Sequence, residues 1–119
     1  MAPAPDMTLA VAPGPLVGPV LRRVVGILAA RADMAVDRID EVILLAEALG
    51  QTAARHTADD RLGVVVHDDD GFFRMEFGPL ERGTSDAAVR SASDGAGSAE
   101  VRSDDGGDYV VLTVADGGA

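Results

Sequence analysis

The stretch Arg38–His56, RIDEVILLAEALGQTAARH, decides the fold. Its apolar residues Ile39, Val42, Ile43, Ala46, Leu49 and Ala53 recur at offsets of three, four and seven. That period is one face of an α-helix. Asp37, just ahead, is a fair N-cap, because its carboxylate can accept from a free N–H of the first turn. A helix over Arg38–His56, with its apolar stripe turned to a core, is the anchor for the rest.

Upstream, Val20, Leu21, Val24, Val25, Ile27 and Leu28 follow helical spacing, with Arg22 and Arg23 outside the stripe. Pro19 suits a first helical turn, where its missing N–H costs nothing. A helix is expected over Pro19–Ala32, joined to the next by Asp33–Val36. Met7–Val11 reads as a short strand, broken by Ala12-Pro13-Gly14-Pro15. Downstream, the Val-rich Leu62–His67 and Phe72–Phe77 read as a hairpin around Asp68-Asp69-Asp70-Gly71, which is turn chemistry. Gly78-Pro79 is expected to end the second of these strands. Thr84–Ala92 reads as a short helix capped by Thr84 or Ser85. Ala99–Ser103 and Tyr109–Ala115 form a second hairpin around Asp104–Gly107.

That order implies an α+β two-layer sandwich, with helices on one face of a mixed, mostly antiparallel sheet. Residues 1–15 are expected to be an N-terminal tail with a short strand, 16–116 a single domain, and 117–119 a frayed end. Ser91–Gly97 is small and polar and reads as a flexible loop.

Composition narrows the function classes. A chain of 119 residues has room for one domain. It has no Cys, which excludes disulfides, thiolate metal sites and thiol nucleophiles. It has no Trp and only 3% aromatics, so stacking platforms for single-stranded nucleic acid are not expected. All 10 basic residues are Arg and none is Lys, against 20 acidic residues, for a net charge of −10. Such a surface repels nucleic acid and anionic membranes and attracts a basic or neutral protein. The N-terminus has no basic, apolar leader, and no apolar run reaches about 18 residues, so a cytoplasmic chain is expected.

Few motifs carry chemistry. With Gly71 at the sixth position of a calcium loop, Val66 and Phe77 would fall at the first and twelfth positions. Neither chelates through its side chain, so a solvated turn is the better reading. His56 and His67 are isolated, with no zinc-ligand set around them; His56 near a helix C-terminus suits the dipole. Without Lys there is no phosphate-binding P-loop. The Gly-rich Asp94–Gly97 is too short to signify an anion cradle. Glu47 and Gln51 are four apart on the central helix and point the same way, beside the core stripe. A carboxylate next to an amide can order a metal-bound water or a base edge, but on these residues alone an ordinary polar helix margin is the better reading.

In Ile39–Ala53, the run Glu47-Ala48-x-x-Gln51-x-Ala53 resembles the "E-A-x-x-N-A" signature of the GHKL ATPase superfamily, closest to the anti-sigma-factor serine kinases of bacteria. The closing segment Ala99–Leu112 is similar to that family's last hairpin, and the resemblance spans residues 16–115. It implies Glu47 as general base or orienter of a metal-bound water, and Gln51 as magnesium ligand beside ATP. Gly78 and Gly83 would be remnants of a nucleotide box, with Arg82 and Arg90 the cations available to phosphates. The departures are large. Glu76–Gly83 lacks the family's adenine-binding Asp, Thr84–Arg90 lacks its Gly-x-Gly cradle, and the lid is shortened. Gln is also longer than the usual Asn, which octahedral magnesium tolerates poorly. The resemblance thus implies an anti-sigma-like regulator that binds a protein, a sigma factor or an anti-sigma antagonist, with ATP catalysis impaired or lost. An active ATP-dependent serine/threonine kinase with variant boxes is the alternative, and a small dimerisation or scaffolding domain a second one. A homodimer is a further expectation from the family.

Overall fold

Alternation along the two hairpins sends the large apolar side chains to one side of a sheet. The computed structural model describes residues 7–69, 72–92 and 97–115. In chain order these form β1 (Met7–Val11), α1 (Val17–Arg31), α2 (Val36–Arg55), β2 (Leu62–Asp69), β3 (Phe72–Leu80), α3 (Ser85–Ala92), β4 (Gly97–Asp104) and β5 (Gly107–Ala115). The strands lie in the order β1-β2-β3-β5-β4. Every neighbouring pair is antiparallel, which corrects the expectation of a mixed sheet. Two local hairpins meet through their second and second strands, β3 and β5, so no parallel crossover is required.

Leu62, Val64 and Val66 of β2, Phe73, Met75 and Phe77 of β3, and Val110, Leu112 and Val114 of β5 are buried on the same face. They meet Val17, Leu21, Val25 and Ala29 of α1 and Val42, Ala46, Leu49 and Ala53 of α2. The expected stripe of the central helix is therefore the core stripe, with Ile39 and Ile43 packed partly buried at its margin. The two helices approach closely where side chains are absent. A Cβ on Gly50 would run into Leu21 Cδ1, and one on Gly26 would lie 3.4 Å from Ile43 Cδ1. The helices and sheet form the α+β sandwich read from the sequence.

The element ends differ in instructive ways. α1 begins at Val17, so Pro19 is its third residue; no N–H is needed there. α2 begins at Val36, and the Ala35 carbonyl accepts from the N–H groups of Arg38 and Ile39 at 2.9 and 3.0 Å. Asp37 lies inside the first turn, where its charge suits the dipole, and it is not the N-cap. Gly78-Pro79 does not end β3. A bulge lies between Phe77 and Leu80, and the strand then leaves β2 for the segment after α2. The Pro79 carbonyl accepts from Ala58 N–H at 2.9 Å and Glu81 N–H donates to the His56 carbonyl at 2.7 Å. Asp68 and Asp69 extend β2, while the turn residues Asp70 and Gly71 lie outside the described residues, as do 1–6, 93–96 and 116–119. The first six residues of the expected tail, most of the flexible loop and the frayed end fall there. Among the described residues no helix is long and apolar enough to cross a membrane.

Candidate functional site

Glu47 and Gln51 share a side of α2, as their spacing requires, and that side faces α1. Glu47 Oε1 lies 2.8 Å from Nε of Arg22. The Gln51 amide rests on Gly18, its Nε2 only 2.8 Å from where a Cβ would stand. Gln51 and Arg55 line a groove of about 270 Å³ with Gly14, Pro15 and Gly18. Magnesium is held by oxygen, usually one or two carboxylates with substrate phosphates. Here the pair offers one neutral amide and a carboxylate already in contact with a guanidinium, which does not fit that ion. Among the described residues no group of three or more His, Asp or Glu could hold a metal.

Gly78, Arg82 and Gly83 lie elsewhere, against β5 and the turn before it. The Tyr109 ring covers Gly78. Arg82 donates to the Asp104 carbonyl and sits 4.0 Å from Asp108 Oδ1. Gly83, at φ +84°, donates its N–H to Asp108 Oδ2 at 3.2 Å. Arg90 is in the last turn of α3. The structure thus joins Gly83 and Arg82 through Asp108, and gives Glu47 and Gln51 a different partner in α1.

Asp108 is the residue that sequence reading missed. It is buried, and Ser103 Oγ donates to its Oδ1 at 2.8 Å. The Ser103 hydrogen bond, then the Gly83 N–H, hold its carboxyl below the ordinary carboxylate value; burial opposes them and the Arg82 charge assists. A signal existed, since Asp is disfavoured within strands and Asp108 stands one residue before the apolar run of β5.

The helix-free face of the sheet carries a second unforeseen cluster. Glu76 Oε1 accepts from Arg102 Nε at 3.2 Å and lies 3.1 Å from Arg102 Nη2. The Arg102 guanidinium stands 4.3 Å above the Tyr109 ring. On the other side, His67 Nε2 is 3.8 Å from Glu76 Oε2, and His67 is only 8% exposed. Beside this chain Gly63 and Gly78 face each other across β2 and β3, leaving a hollow of about 300 Å³ walled by Val65, Pro79, Arg102 and Tyr109. The two lone histidines therefore differ: His67 belongs to a charged network, whereas the His56 carbonyl and N–H serve the end of α2.

No protein-family model matches the chain, and no curated protein matches it significantly.

Proposed function

We propose that the protein is a cytoplasmic regulatory domain that works by binding a protein partner and does not turn over ATP. The partner class implied by the resemblance to anti-sigma-factor kinases is a sigma factor or an anti-sigma antagonist. The Arg22–Glu47 contact at 2.8 Å carries this reading. A general base must reach the proton it removes, and the one carboxylate that the resemblance offers for that role faces α1, beside the Arg22 guanidinium. Phosphoryl transfer rests on positioning and charge neutralisation, while Gly83 and Arg82 are engaged by Asp108. The net charge of −10 favours encounter with a basic protein surface.

Titration calorimetry with ATP and magnesium is the test, and no measurable binding is expected. Micromolar binding that disappears in Glu47→Ala would overturn the proposal in favour of the serine kinase. That second reading draws on one observation: Gln51 and the Arg55 cation line a groove with Gly14, Pro15 and Gly18 at the start of α1.

A further inference from the structure

The helix-free face of the sheet carries an excess of carboxylates around a half-buried apolar centre. The register sets one row across the strands, Thr8–Val65–Glu76–Val111–Glu100. Val65 and Val111 are half-buried in it, and Glu76 and Glu100 stand on the strands either side of Val111. Asp104 lies further along β4 on the same side as Glu100, and Asp69 falls in the same register set on β2. Against these four acids stand two guanidinium groups, Arg74 and Arg102, with His67 beside them. Arg102 is shared, its Nη2 lying 3.1 Å from Glu76 Oε1 and its Nη1 3.4 Å from Asp104 Oδ2. One guanidinium cannot neutralise Glu76, Asp104 and Glu100 together, so this end of the face keeps a negative balance.

Beside those carboxylates lies the hollow of about 300 Å³ above Gly63 and Gly78, walled by Val65, Pro79 and Tyr109. Its floor is backbone and apolar side chain, and its rim is acidic. A lysine or arginine side chain has the same division, an apolar stem and a cationic head. A purely apolar guest would cover the rim carboxylates without pairing them, which costs free energy.

The occupant comes from another protein. The segments 1–6, 70–71, 93–96 and 116–119 contain no Arg, and the chain has no Lys, so none of them brings a basic side chain to the face. A second copy would set acid against acid, and each copy carries −10. Five strands at ~4.8 Å spacing and ~27 Å of strand length give a footprint on the order of 600 Å². That is the low end of specific interfaces, where complexes are weak and transient.

We infer that this face docks a basic segment of a partner protein, with an arginine or lysine stem in the hollow above Gly63 and its charged head at Glu76 and Glu100. The inference rests on the proposed function only in that the partner is a protein with basic residues, and it adds which surface receives that partner.

Fluorescence anisotropy with the full chain tests it, the probe being a labelled nine-residue peptide of alternating arginine and serine. At about 150 mM salt, charges more than about 8 Å apart are largely screened. Binding at about 10–100 µM is expected there. Glu100→Arg is expected to weaken it at least about fivefold. Glu41→Arg makes the same change in net charge at an exposed position of α2, and is expected to leave binding within about twofold of wild type. Val65→Phe, whose ring fills the hollow, is expected to weaken binding with the far-UV spectrum unchanged, and decides the matter if Glu100→Arg does not fold. A wild-type chain that does not bind the peptide at about 1 mM overturns the inference. So does equal weakening by Glu41→Arg and Glu100→Arg, or binding that neither folded sheet-face variant alters. Those outcomes leave the chain a protein-binding domain that uses another surface. ATP binding lost in Glu47→Ala would instead overturn the proposed function and leave this surface standing.

Discussion

The Ser103 hydroxyl donates a 2.8 Å hydrogen bond to the Asp108 carboxylate across the turn that joins β4 to β5. With the Gly83 N–H at 3.2 Å on the other oxygen, it ties the start of β5 to the loop after β3. The folded pKa lies below the usual 3.8, so the ionised form is favoured by folding. Its stabilisation is fully present above pH 3.8 and is lost as pH falls through the lower folded value. Asp108→Asn is expected to lower the melting temperature at pH 7. The gap to wild type should narrow progressively below about pH 4. Melts across pH 2–7 check this, and a gap independent of pH would contradict it.

At the seam of α1 and α2, Gly50 faces the Leu21 methyl. Alanine favours a helix over glycine by about 0.5–1 kcal/mol, but overpacking a tight seam costs about 1–3 kcal/mol. Gly50→Ala is therefore expected to destabilise by about 1–2 kcal/mol in denaturant unfolding. A stabilised variant would mean that the helices can part freely.

Leu49 and Leu44 lie on opposite sides of the same helix, 0% and 62% exposed. Leu49→Ala should cost about 2–5 kcal/mol. Leu44→Ala should stay within about 0.5 kcal/mol of wild type. Equal losses at both positions would contradict the placement of the core.

Arg22 is 66% exposed on its side chain and Glu47 25%. Pairs of this kind contribute about 0.2–1 kcal/mol. Glu47→Ala should thus lower stability only slightly, and high salt should reduce the difference further. A loss of several kcal/mol would show that the carboxylate holds more than the seam of two helices.

The apolar periodicity of Arg38–His56 revealed the core face of α2 because burial of that stripe is what forms the helix. The hairpins were legible for the same reason, through alternation and Asp-Gly turn chemistry. Element ends were less so. Gly78-Pro79 reads as a stop locally, yet a bulge and the Ala58 N–H give the chain beyond it new partners. Such partners are set by tertiary placement. Glu47 and Gln51 do share one side, as spacing demanded, but which neighbour occupies that side is invisible until α1 is docked. Likewise Glu76 and Arg102, 26 residues apart, meet only because β3 and β4 both flank β5.

β1 holds to the sheet through β2 alone, from Met7↔Val66 to Val11↔Leu62. It is therefore a cover for the run Val64-Val65-Val66, a valine-rich window of the type that seeds intermolecular strand pairing. Removing residues 1–11 should leave a chain that polymerises on standing, seen as rising light scattering. Val65→Lys in that shortened chain should suppress the rise, because a lysine on an exposed edge guards it. The five residues of β1 would then count as protection against aggregation more than as a source of stability.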